Sequence, residues 1–468
     1  MKIINTENAG EIKIFTDDYE PDIPEMISKI GNSDFSKGQK IRIMPDTHIG
    51  KVCMIGFTST IGDCINPDFI GCDIGCTVSS VILKNAHIDH KYLPAIEEGI
   101  RKAIPTGFHR FGEMDQDEKL HAIADYISTF KPVMPFEDFE DYLFNIAFHK
   151  QSVIERKELL SGNIYMTETV DICRPGWLLE WGKKFGLDKN NLLNTVGTIG
   201  GGNHFIEMDE NETETAFTVH TGSRNVGKKV YDYWHKKANN QKLNGSDNVV
   251  AINTAKRLYL STHQKLDKDF PDFLKLQLMN VCKEHHNGYL TDVETKKYVF
   301  DMMICQSWAL ANHYIIHDHI KNVANKIIPD FSPRTDSVIS SHNYIDFEHE
   351  IPVLRKGAVS AYKNKDVIIP FNMRDGIAFC KGKGNEDWNC SAPHGAGRRM
   401  SRKKAFETLS MDTFNEDMKD ICTTTAVRET LDEAPEAYKP KDEIVKLISP
   451  TVDIVEFMHP VINIKAKE

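Results

Sequence analysis

A mixed α/β (α+β) fold is what this 468-residue sequence predicts, on three observations. Short runs rich in β-branched residues recur along the chain, stretches with apolar residues at three- and four-residue spacing lie between them, and no internal repeat or Pro/Ser-rich linker divides them. In chain order the β-type runs are KIRIM ahead of Pro45, TVSSVIL after Cys76, AFTV ahead of His220, SVISS ahead of His342, DVIIP ahead of Phe371 and GIAF ahead of Cys380. Val, Ile, Thr and Phe suit a pleated surface with one buried side. Helices are predicted over roughly 116–130, 250–267 and 294–321. A strand-like run repeatedly gives way to a histidine in a glycine- or serine-bearing loop: His48, His204, His220 and His342. Side chains at strand ends can converge on one pocket held rigid by the sheet, and convergence over this span needs one interwoven unit.

Composition bounds the function. With 40% hydrophobic and 27% charged residues the chain reads as a soluble globular protein, and no run has the length to cross a bilayer. Its N-terminus, MKIINTENAGEIKIF, carries no apolar signal core, so a cytoplasmic protein is expected. The ten cysteines are scattered, as buried thiols or a metal ligand in a reducing compartment would be. A net charge of −11 argues against coating nucleic acid by bulk attraction, so any RNA-binding surface must be local.

Four segments carry chemistry. In FIGCDIGCT (69–77), Asp73 and Cys76 stand three apart in a glycine-bearing turn, where a carboxylate and a thiolate can face one ion; a tight turn with a buried thiol is the plainer reading. With the histidines added, the donor set suits a borderline transition metal, and ligand softness alone favours zinc over manganese or iron. In TVGTIGGGNHFIEM (195–208), three glycines admit close backbone approach to a ligand beside Asn203, His204 and Glu207, although such bends also occur at sheet corners. The spacing is not that of a dinucleotide site. In HTGSRNVGKK (220–229), Arg224, Lys228 and Lys229 form a basic lip beside His220; the run also fits G-x-x-x-x-G-K, but Lys229 stands where a phosphate loop needs Ser or Thr. In SAPHGAGRRMSR (391–402), His394 sits between a proline and Gly-Ala-Gly, and a following helix N-terminus with Arg398 and Arg402 would surround an anion there. His313 and His317, four apart in ANHYIIHDHI, read as ordinary residues of an amphipathic helix, and His285 and His286 as helix-end surface residues.

Nine segments in order, MPDTHIG, FIGCDIGC, GTIGGGNHFIE, HTGSRNVG, SHNYI, LRKGA, SAPHGAGRRMSR, DEAPEAYK and PVINIKA, resemble the signature segments of the RtcB RNA-splicing ligases. The resemblance implies one RtcB-like domain over 1–468, mixed sheets flanked by helices around a central cleft, with GTP and two Mn2+ ions as cofactors. It implies joining of RNA 3′-phosphate or 2′,3′-cyclic phosphate ends to 5′-hydroxyl ends. By this likeness His394 is the guanylate-accepting nucleophile, and Asp46 supports catalysis from beside the metal site; Asp73, Cys76, His204, His220 and His342 hold the metals, with Cys76 bridging. Asn203, Glu207, His342, Ala396, Gly397, Tyr438 and Lys465 match positions around GTP, and Arg224, Arg398 and Arg402 would hold RNA phosphates. A monomer suffices, and an archease-like activator is an implied partner. The alternative is a metal-dependent RNA phosphodiesterase or cyclic-phosphate hydrolase that forms no covalent nucleotide.

Two departures stand out. The family carries Pro-Gly-Ser-Met-Gly where this chain has PFNMRDG (370–376), so Phe371 and Arg374 bring a large side chain and a cation where backbone approaches the ligand. Thr77 stands where a glycine commonly follows the bridging cysteine. Both suggest a divergent subfamily, one suited to damage repair.

Overall fold

The computed structural model describes residues 1–62, 64–112, 175–239, 245–263, 265–267, 269–274, 277, 288–348 and 351–467. Two sheets carry the architecture. The first runs in the order Lys2–Thr6 (β1), Gly10–Ile14 (β2), Ile41–His48 (β3), Ile55–Thr60 (β4), Val353–Lys356 (β12) and Asn343–Asp346 (β11). The second, of seven strands, runs Thr335–Ser341 (β10), Thr77–Leu83 (β6), Thr215–Thr221 (β8), Phe205–Glu210 (β7), Val452–Ile464 (β17), Ile377–Gly382 (β15) and Asp366–Pro370 (β14). Two short pairs, Ala358–Ser360 (β13) with Ser391–Pro393 (β16) and Cys64–Ile65 (β5) with Leu290–Thr291 (β9), complete the set. The α+β expectation holds, and each β-type run quoted from the sequence lies in a strand.

Prolines mark where the ladders break, because a proline offers no amide to the neighbouring strand. β17 shifts register against β7 between Pro460 and Ile462. β3 pairs Ile43 with Phe57 but His48 with Ile55, so the residues around Pro45 bulge out of the sheet. Gly56 opposite the bulge has φ +79, and a Cβ there would lie 2.9 Å from Asp46 Oδ1.

The helix expected over 294–321 is the 36-residue helix Asp292–Ile327, packed against β6 and β8, with buried Asn312 reaching Thr221 and Ile316 packing with Phe217 and Val219. The one expected over 250–267 runs Gly245–Thr262 and stops short, since Ser261 and Thr262 turn their hydroxyls onto the carbonyls of Leu258 and Tyr259. The helix expected at 116–130, and His285 and His286, lie outside the described residues. Among the described residues no helix is long and apolar enough to cross a membrane.

One buried ion pair fastens the two parts that meet at the centre. Arg355 on β12, fully buried, pairs with Asp346 and donates from Nε to Ser391 Oγ at 2.9 Å. Its Nη2 lies 3.4 Å from the Asn389 carbonyl and 3.3 Å from that of Cys390. Asn389 and Cys390 take φ of 51° and 44°, a costly conformation for two successive non-glycine residues. Arg355→Met leaves the buried Asp346 carboxylate with only the Tyr344 and Tyr362 hydroxyls and the Glu348 amide, and is expected to lower stability by about 3–5 kcal/mol. Urea unfolding followed by tryptophan fluorescence reads this; a loss under about 1 kcal/mol would mean that these neutral donors satisfy Asp346 without the guanidinium.

Candidate functional site

Four neighbouring strands deliver four side chains to one place. In the order β10, β6, β8, β7, Ser341 pairs with Thr77, Val78 with His220, and His220 with Phe205. His342 follows β10, Cys76 precedes β6, His220 is the penultimate residue of β8 and His204 precedes β7, so all four gather at one end of the sheet. The His342 amide donates to the Cys76 carbonyl at 2.9 Å. His204 therefore opens a strand rather than closing one: the glycine run before it is a turn, not the tail of a β segment.

The side chains come close enough to share an ion. Ligand atoms of Cys76, His204 and His220 lie within 4.8 Å of one another. Cys76 Sγ is 3.5 Å from His204 Nε2 and 3.3 Å from His220 Nε2. His204 Nε2 is 3.0 Å from Asp73 Oδ2, and His220 Nε2 is 3.4 Å from His342 Nε2. Gly222 leaves the room Asp73 needs, since a Cβ there would fall 2.1 Å from Oδ1. Burial, reinforced by His204 and His342, holds His220 well below the usual imidazole value; burial and His394 do the same to His342. Burial opposes ionisation of Asp73, but His204 outweighs it and the carboxyl sits at about 2. Burial, with Asp73 beside it, pushes the Cys76 thiol well above its ordinary value. Neutral imidazoles and a carboxylate are the forms that bind a cation, and a cation would reverse the penalty on the thiolate. Among the described residues, buried His204 Nδ1 and His342 Nδ1 have no hydrogen-bond partner. This donor set fits a divalent transition metal.

His394 closes the cluster from the short β13–β16 pair. It follows β16, and its ring centroid lies 4.8 Å from that of His342. Its Nδ1 is 2.6 Å from Oδ2 of Asp46, which the Pro45 bulge carries inward and which is fully buried. A carboxylate accepts, so Nδ1 carries the proton and the lone pair is left on Nε2. Buried Lys439 supports the bulge by donating to the Pro45 carbonyl at 3.1 Å, and Gly397, at φ +76, lies so close that a Cβ would be 2.2 Å from the Asp46 carbonyl. His48 donates from Nδ1 to that same carbonyl at 2.9 Å and stays outside the cluster.

Beside His394 and His220 opens a cleft. Asn203, Phe205 and Glu207 line one side, and Glu433, Tyr438 and Lys465 another. Burial, then Asp209, raises Glu207 well above the usual carboxylate range, while Asn463 donates to it. Lys465 reaches Glu433 at 3.1 Å and stands 5.5 Å from the Phe205 ring centroid. Ala396 is buried under the cleft wall, its amide 3.1 Å from the Pro370 carbonyl.

The same order of motifs recurs in known proteins. The family model described as tRNA-splicing ligase RtcB matches residues 34–466. The chain belongs to the RtcB family. It is 26% identical to the RNA-splicing ligase RtcB of Escherichia coli K12 over 99% of each chain. It is 24% identical to the tRNA-splicing ligase RtcB of Nanoarchaeum equitans, over 86% of this chain and 83% of that one.

Several expectations drawn from the sequence change in detail. PFNMRDG does line the cleft through Pro370 to Met373, but its replacements do not fill it. Phe371 points into the core with Val359 and Ile369, Met373 into another with Phe414 and Leu431, and Arg374 pairs outside with Asp375 and Asp417. Thr77 costs nothing visible, because its hydroxyl bonds the Gly75 carbonyl at 2.9 Å and Ser341 at 2.8 Å. The helix after His394 begins only at Arg402, eight residues on, and runs Arg402–Thr408 with Ser401 as its cap. Gly222–Lys228 does not form a phosphate loop, since a helix begins at Arg224, and on it Lys228 pairs with Asp232. Arg224 lies against the glycine turn, bonded to Thr198 Oγ1 and the Gly107 carbonyl. Arg398 and Arg402 are taken up by carboxylates, Arg398 with Glu433 at 3.1 Å and Arg402 with Asp432 at 2.6 Å.

Sequence reasoning missed Glu433. Burial opposes its charge, yet Lys465, Arg402 and Arg398 outweigh that and hold it at about 2. It sits inside DEAPEAYK, and the signal was there: an acidic residue five before Tyr438, whose hydroxyl it binds. Phe205, between His204 and Ile206, was also missed as a wall of the cleft.

Proposed function

We propose that this chain is a GTP- and manganese-dependent RNA ligase that joins RNA 3′-phosphate or 2′,3′-cyclic phosphate ends to 5′-hydroxyl ends, acting as one RtcB-like unit over 1–468. The observation that carries this reading is His394: its Nδ1 is engaged by Asp46, and it borders both the ligand cluster and the cleft. A histidine held by a carboxylate, with its other nitrogen free beside a cleft, is the arrangement a covalent nucleotide step would use.

Asp73, Cys76, His204, His220 and His342 would hold the divalent ions, Cys76 between two of them. Bound there, the ions would neutralise phosphate charge and keep the reacting phosphoryl group in line. The cleft takes the guanosine, with Glu207 and Lys465 toward the base and Asn203, Tyr438, Ala396 and Gly397 around the nucleotide. His394 Nε2 attacks the α-phosphorus of GTP and pyrophosphate leaves, its Nδ1 proton and ring orientation kept by Asp46. A terminal oxygen of the RNA 3′-phosphate then displaces the histidine, and the 5′-hydroxyl finally displaces GMP. A 2′,3′-cyclic end is first opened by water. Arg224, Arg398 and Arg402 would meet RNA phosphates, the last two by exchanging Glu433 and Asp432 for them.

The test uses an RNA with a 2′,3′-cyclic phosphate on one strand and a 5′-hydroxyl on the other. Sealed product that requires both manganese and GTP is expected. Opening of the cyclic phosphate without sealing, and without a GTP requirement, would replace this reading with the hydrolase.

A further inference from the structure

The helix Asp292–Ile327 passes directly behind the ligand cluster, so close to the turn before Cys76 that a Cβ on Gly75 would lie 2.7 Å from Gln306 Cα. Two adjacent residues of this helix reach both backbone turns that carry the cluster's histidines. Asn312 is fully buried, and its Oδ1 accepts the amides of Gly197 at 2.6 Å and Thr198 at 3.1 Å. Its Nδ2 donates to the carbonyls of Thr198 at 3.1 Å and Gly222 at 3.3 Å. One side-chain amide thus ties the segment entering the His204 turn to the residue two beyond His220.

His313 continues the fastening. Its Nε2 is 3.1 Å from the Thr221 carbonyl, and its Nδ1 is 2.6 Å from Ser79 Oγ, which is in turn 2.8 Å from His317 Nε2. A carbonyl only accepts, so Nε2 of His313 carries a proton; burial keeps the ring neutral, with its value held at about 4. Nδ1 must then accept from the Ser79 hydroxyl, and Ser79 accepts from His317 Nε2–H. The chain of donors runs one way, from His317 through Ser79 and His313 to the carbonyl that follows His220. Ser79 is on the strand that Cys76 opens, so the same chain joins the Cys76 strand to the His220 strand from behind. The two histidines that read in sequence as ordinary helix residues are engaged on this one hydroxyl.

We propose that Asn312 and His313 are positioning residues for the ligand cluster: they set the distance between the His204 turn and the end of the His220 strand, and with it the affinity for the divalent cation. This rests on the metal reading above. Partners that orient ligands from behind typically carry 10–100-fold in metal affinity.

The probe is cobalt(II) alone, titrated into the full-length chain and its variants, read by thiolate-to-cobalt charge-transfer and d–d absorption. His313→Gln keeps a donor for the Thr221 carbonyl and an acceptor for Ser79, whereas His313→Leu keeps neither. The expected result is about 10–100-fold weaker cobalt binding with altered d–d bands in His313→Leu, and near-normal binding in His313→Gln. Unchanged affinity and spectrum in a folded His313→Leu protein overturn the proposal, as does equal loss in both variants, which would mean that packing volume alone matters. Should His313→Leu fail to fold, Ser79→Ala and Asn312→Asp decide: each is expected to weaken cobalt binding several-fold, and wild-type affinity in both overturns the proposal. Absence of any thiolate-to-cobalt band in the unaltered chain is a different failure, that of the metal reading itself.

Discussion

Replacing His394 by alanine is expected to leave the chain without label after incubation with manganese and GTP carrying label in the α-phosphate, while the unaltered chain keeps label through denaturation. The loss should be complete rather than partial, because among the described residues no other imidazole is placed to substitute. His204, His220 and His342 stand in the ligand cluster, and His48 has its Nδ1 on the Asp46 carbonyl. Among the described residues, His394 combines a carboxylate on Nδ1, contact with the cluster through His342, and a position on the cleft. The variant should still bind cobalt with the thiolate absorption of the unaltered chain, which separates loss of the nucleophile from loss of the metal site. Label retained by His394→Ala would move the nucleophile elsewhere. An unlabelled native chain that binds metal would argue for hydrolysis without covalent nucleotide.

What could be read from the sequence was the identity of the groups more than their support. His220, His342 and Cys76 were legible because strand patterning places them at strand ends, and neighbouring strands need only agree in register to bring such ends together. His204 was legible as a glycine-turn residue but not as the start of a strand, since the turn and a strand tail look alike when a triple glycine separates them. The Asp46 bulge was not legible: Pro45 announces a break in pairing, but only the partner strand, with Gly56 at positive φ, decides which way the broken segment swings. The helix capped by Ser401 shows the same limit, for the basic run gave its composition and not its first residue. Phe371 illustrates a different failure. A large residue in a ligand-contacting segment was read as an obstruction, yet its ring packs into the core with Val359 and Ile369 at the edge of the cleft. Glu433 and Asn312 escaped because a buried polar group is identified by the partners that satisfy it, and those lie far away in sequence.

Asp46→Asn should slow transfer of GMP to His394 by about 10^2–10^4-fold while leaving cobalt binding close to normal. The argument is one of tautomers. Asp46 Oδ2, 2.6 Å from Nδ1, can only accept, so the proton is fixed on Nδ1 and the lone pair on Nε2. An asparagine at the same place can present its amide nitrogen, which makes Nδ1 the acceptor and puts the proton on Nε2, where the attack must occur. The negative charge that stabilises an imidazolium-like nucleophile is lost as well. Packing changes little, since Asn has the volume of Asp and Asp46 Oδ1 has no hydrogen-bond partner among the described residues. The defect should also be confined to one step. RNA supplied with GMP already attached to its 3′ end needs no attack by His394, so Asp46→Asn should seal it at a rate within a few-fold of the unaltered chain. Equal loss in both assays would assign Asp46 to the ligand cluster or to RNA rather than to the histidine. A near-normal rate of GMP transfer would show that the ring is oriented by its packing on His342 alone.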